Sequence, residues 1–153
     1  MKKFILIPAL FCLFMLNVAS MCSSDDDSSS STDPTPVINT ATQGTWRITS
    51  YVDSGTDETN HFTGYNFTFG ASNVLTATNG TNTYTGTWSV VVDNSNDDNP
   101  SSDLDFNIAF ASPADFADLT DDWDVVSHTA TTISLIDVSG GNGGTDTLVF
   151  TKN

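Results

Sequence analysis

The stretch that decides the fold is residues 44–52, Gly-Thr-Trp-Arg-Ile-Thr-Ser-Tyr-Val, in which apolar and polar side chains alternate. Its opening phrase returns at residues 86–88, Gly-Thr-Trp, ahead of a Ser-Val-Val-Val run. Alternation with a period of two is typical of a β-strand that buries one face. Strict alternation predicts that Trp46, Ile48, Ser50 and Val52 share the buried face, with Tyr51 on the opposite one.

Besides the two strands that contain Trp46 and Trp88, the sequence has six further runs of β type, which makes eight predicted strands. These eight strands are short, and one helical turn at 114–119 is the only helical signal among them, which rules against βαβ units. We therefore predict an all-β protein, a small eight-stranded antiparallel up-and-down barrel, because closure leaves no exposed strand edge. A two-sheet sandwich is the alternative. The strands after the first are predicted at 62–69, 74–78, 84–92, 104–110, 123–128, 131–138 and 145–152.

An eight-stranded barrel is just wide enough to be filled by side chains or to hold one small ligand. The side chains expected to face inward are bulky, which favours a narrow or filled interior. They are Trp46, Phe67, Phe69, Trp88, Phe106, Phe110, Trp123 and Phe150.

Residues 1–21 have the features of a secretory signal: two lysines, an apolar run too short for a stable membrane span, and a cleavage region. Residues 18–22, Val-Ala-Ser-Met-Cys, resemble a bacterial lipoprotein box, with Met21 where a small residue is usual. This resemblance implies lipid attachment, including palmitate, at Cys22. Ordinary cleavage after Ser20, which would leave Cys22 as a free thiol, is the alternative.

Cys22 is followed by Ser-Ser-Asp-Asp-Asp at 23–27. This stretch is similar to the start of surface lipoproteins of the Bacteroidetes, in which Ser and acidic residues form an export signal. The resemblance implies an outer-membrane protein that is lipid-anchored and faces outside. The remainder of 22–42 is rich in Ser, Asp and Pro, and we expect a disordered tether there, followed by the folded domain at 43–153. The residues that match the export signal are Ser24, Asp25, Asp26 and Asp27.

The charge distribution excludes one class of partner. The chain has 19 acidic and 4 basic residues and a net charge of −15, and only Arg47 and Lys152 are basic beyond residue 3. Nucleic acid binding needs a basic face, so we expect none. Past Cys22 there is no cysteine, so the domain must fold without a disulfide.

Residues 43–153 contain a set of aromatic motifs: the two Gly-Thr-Trp phrases, Tyr-Asn-Phe-Thr-Phe at 65–69, Trp123 with its acidic neighbours, and Leu-Val-Phe-Thr-Lys at 148–152. This set resembles the motifs of lipocalin-like lipoproteins of the Bacteroidetes. The resemblance implies that Trp46 closes the barrel base and that Lys152 stacks on its ring. The lipocalin Thr-Asp-Tyr motif is missing. A weaker similarity links residues 82–88 to META domains.

The polar clusters in the sequence are interpreted as solvated surface. We expect no metal site, no cofactor and no catalytic site, because no His pair, nucleophile motif or complete calcium loop is present. Asp103 and Asp105 share a strand face that is predicted to be wet. The remaining polar candidates are the alternating Asp93, Ser95, Asp97 and Asn99, the glycine turn at 140–144, and the two histidines, His61 and His128.

Two non-catalytic functions remain open. In the first, the barrel mouth binds a small apolar ligand, with Ser50, Ser127 and Asp137 as candidate polar contacts. In the second, the barrel is filled, and the protein serves as a structural or interaction protein of the cell surface. The sequence does not decide between an open and a plugged interior.

Overall fold

The computed structural model describes residues 33–92, 104–139 and 144–153. Within them the chain forms nine strands and two short helices, joined by tight turns that include 3-10 turns at Thr59–Phe62 and Ala71–Asn73. The helices are α1 (Thr35–Ala41) and α2 (Ala114–Ala117). The strands are β1 (Trp46–Asp53), β2 (Thr56–Asp57), β3 (Asn66–Phe69), β4 (Val74–Thr78), β5 (Thr83–Val92), β6 (Leu104–Ala109), β7 (Asp121–His128), β8 (Thr132–Val138) and β9 (Thr145–Lys152).

Eight of the strands close into an antiparallel barrel in the order β1-β3-β4-β5-β6-β7-β8-β9, and β9 pairs back with β1. The two-residue β2 only extends β1 as a short hairpin. The closed ring confirms the predicted barrel and excludes the sandwich alternative. The structure is therefore that of a small β-barrel protein.

The first strand, β1, is paired extensively with one neighbour and hardly at all with the other. Six register pairs join β1 to β9, from Trp46↔Lys152 to Val52↔Thr147. Only one pair, Trp46↔Phe67, joins β1 to β3. We call the junction between β1 and β3 the seam of the barrel.

A bulge corrects the predicted faces of β1. The register with β9 shifts between Ile48 and Ser50, so that Tyr51 lies opposite the buried Leu148. Tyr51 is 2% exposed, whereas Ser50 and Val52 are only half-buried. The strict alternation was wrong after Ile48, because a bulge adds one residue and moves the following side chains to the other face.

The barrel end at which β1 begins, here called the base, is closed by α1. Val37 and Ala41 are fully buried, and the indole N–H of Trp46 donates a hydrogen bond to the Ala41 carbonyl at 2.8 Å. Thr40 Oγ1 lies 3.2 Å from His128 Nδ1 of β7. The prediction of a disordered tether up to residue 42 was wrong for 35–41, since these residues form a helix that belongs to the folded domain.

The C-terminus completes the base. Lys152 Nζ lies 5.8 Å from the centroid of the Trp46 ring, within the range of a cation–π contact. Lys152 thus lies where the resemblance to lipocalin-like proteins implied. Gly44 has a φ of +93°, and a Cβ there would approach the Lys152 side chain to 3.1 Å. Glycine at residue 44 therefore serves both the turn into β1 and the seat of Lys152.

Several predictions fall on residues outside the described ranges. They are the signal peptide, Cys22, the export signal, and the polar loop with Asp93, Ser95, Asp97, Asn99 and Asp103. Most of the glycine turn after β8 is outside as well. In the part of the chain that the structure describes, no helix has the length and apolar character needed to span a membrane.

Val37→Ala is expected to lower the free energy of unfolding by about 2 kcal/mol, because it removes buried methyl groups beneath α1. Asn39→Ala on the exposed side of the same helix is the matched control, with an expected change within about 0.5 kcal/mol. Urea unfolding of both variants measures the difference. Equal stabilities of the two variants would show that α1 does not close the base.

Candidate functional site

The barrel interior is packed with aromatic rings. The Phe69 ring makes edge-to-face contacts with Trp88, Phe106 and Phe150, each at 5.3 Å between ring centroids. Phe67 adds a further contact with Phe150 at 5.5 Å. All eight aromatic side chains predicted to face inward are buried, at 6% exposure or less. The described interior is therefore a side-chain core, as the aromatic content favoured.

The barrel end opposite the base, here called the mouth, is covered by the turn that carries α2. The Phe116 ring lies between 4.8 and 6.0 Å from five other aromatic rings, including Phe62 and Tyr84. The Tyr51 hydroxyl donates to the Asp118 carbonyl at 2.9 Å, and the Trp123 indole N–H donates to the Leu119 carbonyl at 3.1 Å. These bonds fix the turn over the core.

A groove of about 510 Å³ lies on the outside of β5, β6 and β7. Its floor is formed by cross-strand neighbours, since Ser89 pairs with Asn107 and Asn107 pairs with Asp122. Most side chains that line it are hydroxyls, amides and carboxyls. We call it the polar groove; its lining is Asn73, Thr87, Trp88, Ser89, Asn107, Ile108, Ala109, Thr120, Asp121 and Asp122.

Two adjacent carboxyls give the polar groove its electrostatic character. The pKa of Asp121 is raised to about 6, chiefly by burial, and also by a hydrogen bond shared with the Asp122 carboxyl and by repulsion from Asp137. The backbone N–H of Asp122 donates to Asp121 Oδ1 at 2.9 Å and acts in the opposite direction. The polar groove therefore holds a partly desolvated carboxyl, that of Asp121, beside the exposed carboxyl of Asp122.

A second groove of about 360 Å³ lies between α1, the turn at 70–73 and β5. Its lining is mainly apolar, and we call it the apolar groove. It shares Asn73, Trp88 and Ser89 with the polar groove, so the two adjoin. The lining is Ile38, Thr42, Gly70, Ala71, Ser72, Asn73, Trp88, Ser89, Val90 and Val91.

The wall shared by the grooves is held firmly. The Asn73 side-chain amide donates to the Trp88 carbonyl at 2.8 Å, and the Trp88 indole N–H donates to the Gly70 carbonyl at 3.0 Å. Ser72 and Asn73 both have positive φ angles, of 58° and 62°. Two consecutive residues in the left-handed region are rare outside glycine, and such conformations persist where the surroundings fix them.

The structure places the three predicted ligand contacts at separate positions. Ser50 pairs with Val149 and Ser127 pairs with Ser134, and these positions alternate with buried ones, so both serines face outward. Asp137 lies near the end of β8, opposite Asp146. None of the three lines the polar or the apolar groove.

The histidines are also far from one another in the fold. His128 contacts α1 at the base, and His61 lies at the mouth, 3.9 Å from Glu58 and 4.0 Å from Asp115. Within the described ranges, no three His, Cys, Asp or Glu side chains are grouped so that they could hold a metal ion.

Sequence reasoning missed the Asp121–Asp122 pair as part of a groove. The strand was predicted to begin at Trp123, whereas β7 begins two residues earlier and places Asp122 beside Asn107 of β6. The acidic run before Trp123 can be seen in the sequence. The register that places this run beside β6, and near the turn that contains Asn73, cannot.

No family model matches the chain, and no curated protein matches it. A solved structure of a DUF4847 family protein from Bacteroides vulgatus is similar to this chain at 16% sequence identity with a TM-score of 0.47. The alignment covers 76% of this chain and 97% of that protein.

The raised pKa of Asp121 predicts a pH dependence of stability. Because the folded pKa of about 6 exceeds the ordinary value of 3.8, the folded chain binds more protons than the unfolded chain between these pH values. The contribution of Asp121 to stability is therefore present below the unfolded pKa and is lost as the pH rises through about 6.

Asp121→Asn is expected to remove this loss and to be more stable than the parent above pH 6, by at most about 1 kcal/mol because solvent screens the half-exposed group. Urea unfolding between pH 4 and pH 8 measures the slope, with the exposed Asp115→Asn as control. If the free energy of unfolding changed equally with pH in the parent and in Asp121→Asn, the raised pKa of Asp121 would be contradicted.

Proposed function

We propose that this protein is a non-catalytic lipoprotein, anchored through Cys22 and displayed on the outer face of the outer membrane, that contacts other molecules through the outside of a filled barrel. The observation that carries this proposal is the aromatic core formed by Phe69, Trp88, Phe106 and Phe150. A barrel whose axis is filled by its own side chains leaves an apolar ligand no room inside. The packing thus favours the filled-barrel alternative over a ligand in the mouth.

The lipid anchor is supported by the signal region, by Cys22 and by the Ser and Asp residues that follow it. α1 begins at Thr35 and lies at the base, so about 12 residues connect the anchor to the barrel. In this arrangement the base faces the membrane and the mouth faces away from it.

A filled interior predicts a large cost for removing one of its rings. Phe106→Ala is expected to lower the free energy of unfolding by about 3–5 kcal/mol, because it leaves a cavity in the core. Val126→Ala on the exposed face of β7 is the control, with a change within about 0.5 kcal/mol.

Native mass spectrometry of the protein released from its own cells provides the companion measurement. The expected mass is that of the polypeptide with its lipid anchor and no further bound molecule. A bound apolar molecule, together with a loss of less than about 1 kcal/mol for Phe106→Ala, would instead establish an open ligand-binding barrel.

Cys22→Ser is expected to abolish labelling by palmitate and to release the protein from the membrane fraction, because it removes the thiol through which the acyl chains are proposed to be held. Each buried methylene of such a chain is worth about 0.8 kcal/mol, and several chains are needed for firm attachment. Cys12→Ser inside the signal is the matched control and should retain both properties. External protease applied to whole cells should digest the parent protein. A parent that remains protected in intact cells would contradict surface display.

A further inference from the structure

We propose that the polar groove and the apolar groove together form one binding site for a peptide segment of a partner protein, in which a basic side chain is followed or preceded by apolar ones. This inference rests on the proposed outer-face function and names the chemistry of the partner. The basic side chain would lie in the polar groove beside Asp121 and Asp122, and the apolar side chains would lie against Val91 and Ile38.

The polar groove calls for a positive charge that the described residues do not provide. Among the residues described at 33–92, 104–139 and 144–153, no Lys, Arg or His lines either groove. The two basic residues of the folded domain are engaged elsewhere: Arg47 donates to Asn153 Oδ1 at 3.2 Å, and Lys152 lies over Trp46. A partly desolvated carboxyl such as that of Asp121 gains most from an ammonium or guanidinium group brought by another molecule, because the local dielectric is lower than that of water.

Two other ligands fit the polar groove less well. A divalent cation needs several oxygen ligands around one point, and the described residues offer no group of three acidic or His side chains arranged for it. A sugar commonly stacks on an exposed aromatic face, but Trp88 is only 6% exposed and its indole N–H is bonded to Gly70.

The apolar groove supplies the second half of the recognition. Val91 is 44% exposed on β5, which is high for a valine that lies beside Ile38 of α1 and Ala71 of the turn. An apolar side chain placed there would remove this surface from water. The shared wall, Asn73 and Ser89, brings the two chemistries side by side, so a ligand that uses both must carry its charge next to its apolar part.

The test uses unlabelled acetylated and amidated peptides, Lys-Gly-Leu-Leu and Leu-Leu-Gly-Lys, titrated into the folded protein at pH 7 and low salt. The readout is the NMR shift of the Asn73 and Asn107 side-chain amides. Saturable shifts are expected with at least one peptide. Replacing Lys by Glu, or both Leu by Ser, is expected to weaken binding at least tenfold.

Matched variants separate the site from the general negative charge of the protein. Asp122→Asn and Val91→Thr are each expected to weaken binding about three- to tenfold. Asp115→Asn and Val126→Thr, which make the same chemical changes outside the grooves, are expected to leave it within twofold. Affinity should also fall below pH 6, as Asp121, beside Asp122 and Asp137, takes up a proton.

Three results would overturn the proposal. The first is the absence of saturable shifts with either basic peptide, and the second is an equal loss of affinity in Asp115→Asn and Asp122→Asn. The third is hexylamine binding as tightly as the peptides, which would assign the site to a small amphiphilic amine. None of these results bears on the filled core or on the anchor, which Phe106→Ala and Cys22→Ser test separately.

Discussion

The hydrogen bond from the Trp46 indole to the Ala41 carbonyl is the contact on which the rest of the barrel depends. A fully buried indole must find an acceptor, and here the acceptor is the last residue of α1. The same bond therefore draws α1 across the base, and Lys152 covers the Trp46 ring from the other end of the chain. One side chain thus joins the N-terminal helix, the first strand and the last strand.

The filled interior follows from the small size of the barrel. A ring of eight strands encloses little space, and this chain places Trp and Phe at most of the inward positions along it. The bulge in β1 adds Tyr51 to the core, where its hydroxyl reaches the Asp118 carbonyl and ties the mouth turn down. With the inside occupied, the proposed recognition surface is the outer face, where residues of β5, β6 and β7 line the polar groove.

Much of this fold was predictable from the sequence, because its signals are local. The period of two placed seven of the strands near their observed positions and gave the correct faces for residues such as Phe67 and Phe106. α1 was missed because its apolar residues, Val37, Ile38 and Ala41, are few and stand beside a Ser- and Asp-rich stretch. Its helical state is favoured by packing on the barrel rather than by its own propensity.

The grooves could not have been predicted in the same way. Asn73, Ser89, Asn107 and Asp122 come from four separate segments, and only the closed register brings them together. The bulges in β1 and β7 were equally hidden, since each depends on how the neighbouring strand pairs. Ser50 and Ser127 were chosen by alternation, and each of them follows such a bulge.

The single register pair at the seam between β1 and β3 makes this the least paired junction of the described ring, since every other junction has at least four pairs. Elsewhere the ring is joined by ladders of backbone hydrogen bonds. Across the seam, side chains contribute ring contacts such as Tyr51 with Phe62, and Thr59 Oγ1 accepts a hydrogen bond from the Tyr51 N–H. Separating β1 from β3 would therefore break few backbone hydrogen bonds, whereas separating any other pair of neighbouring strands would break a ladder of them.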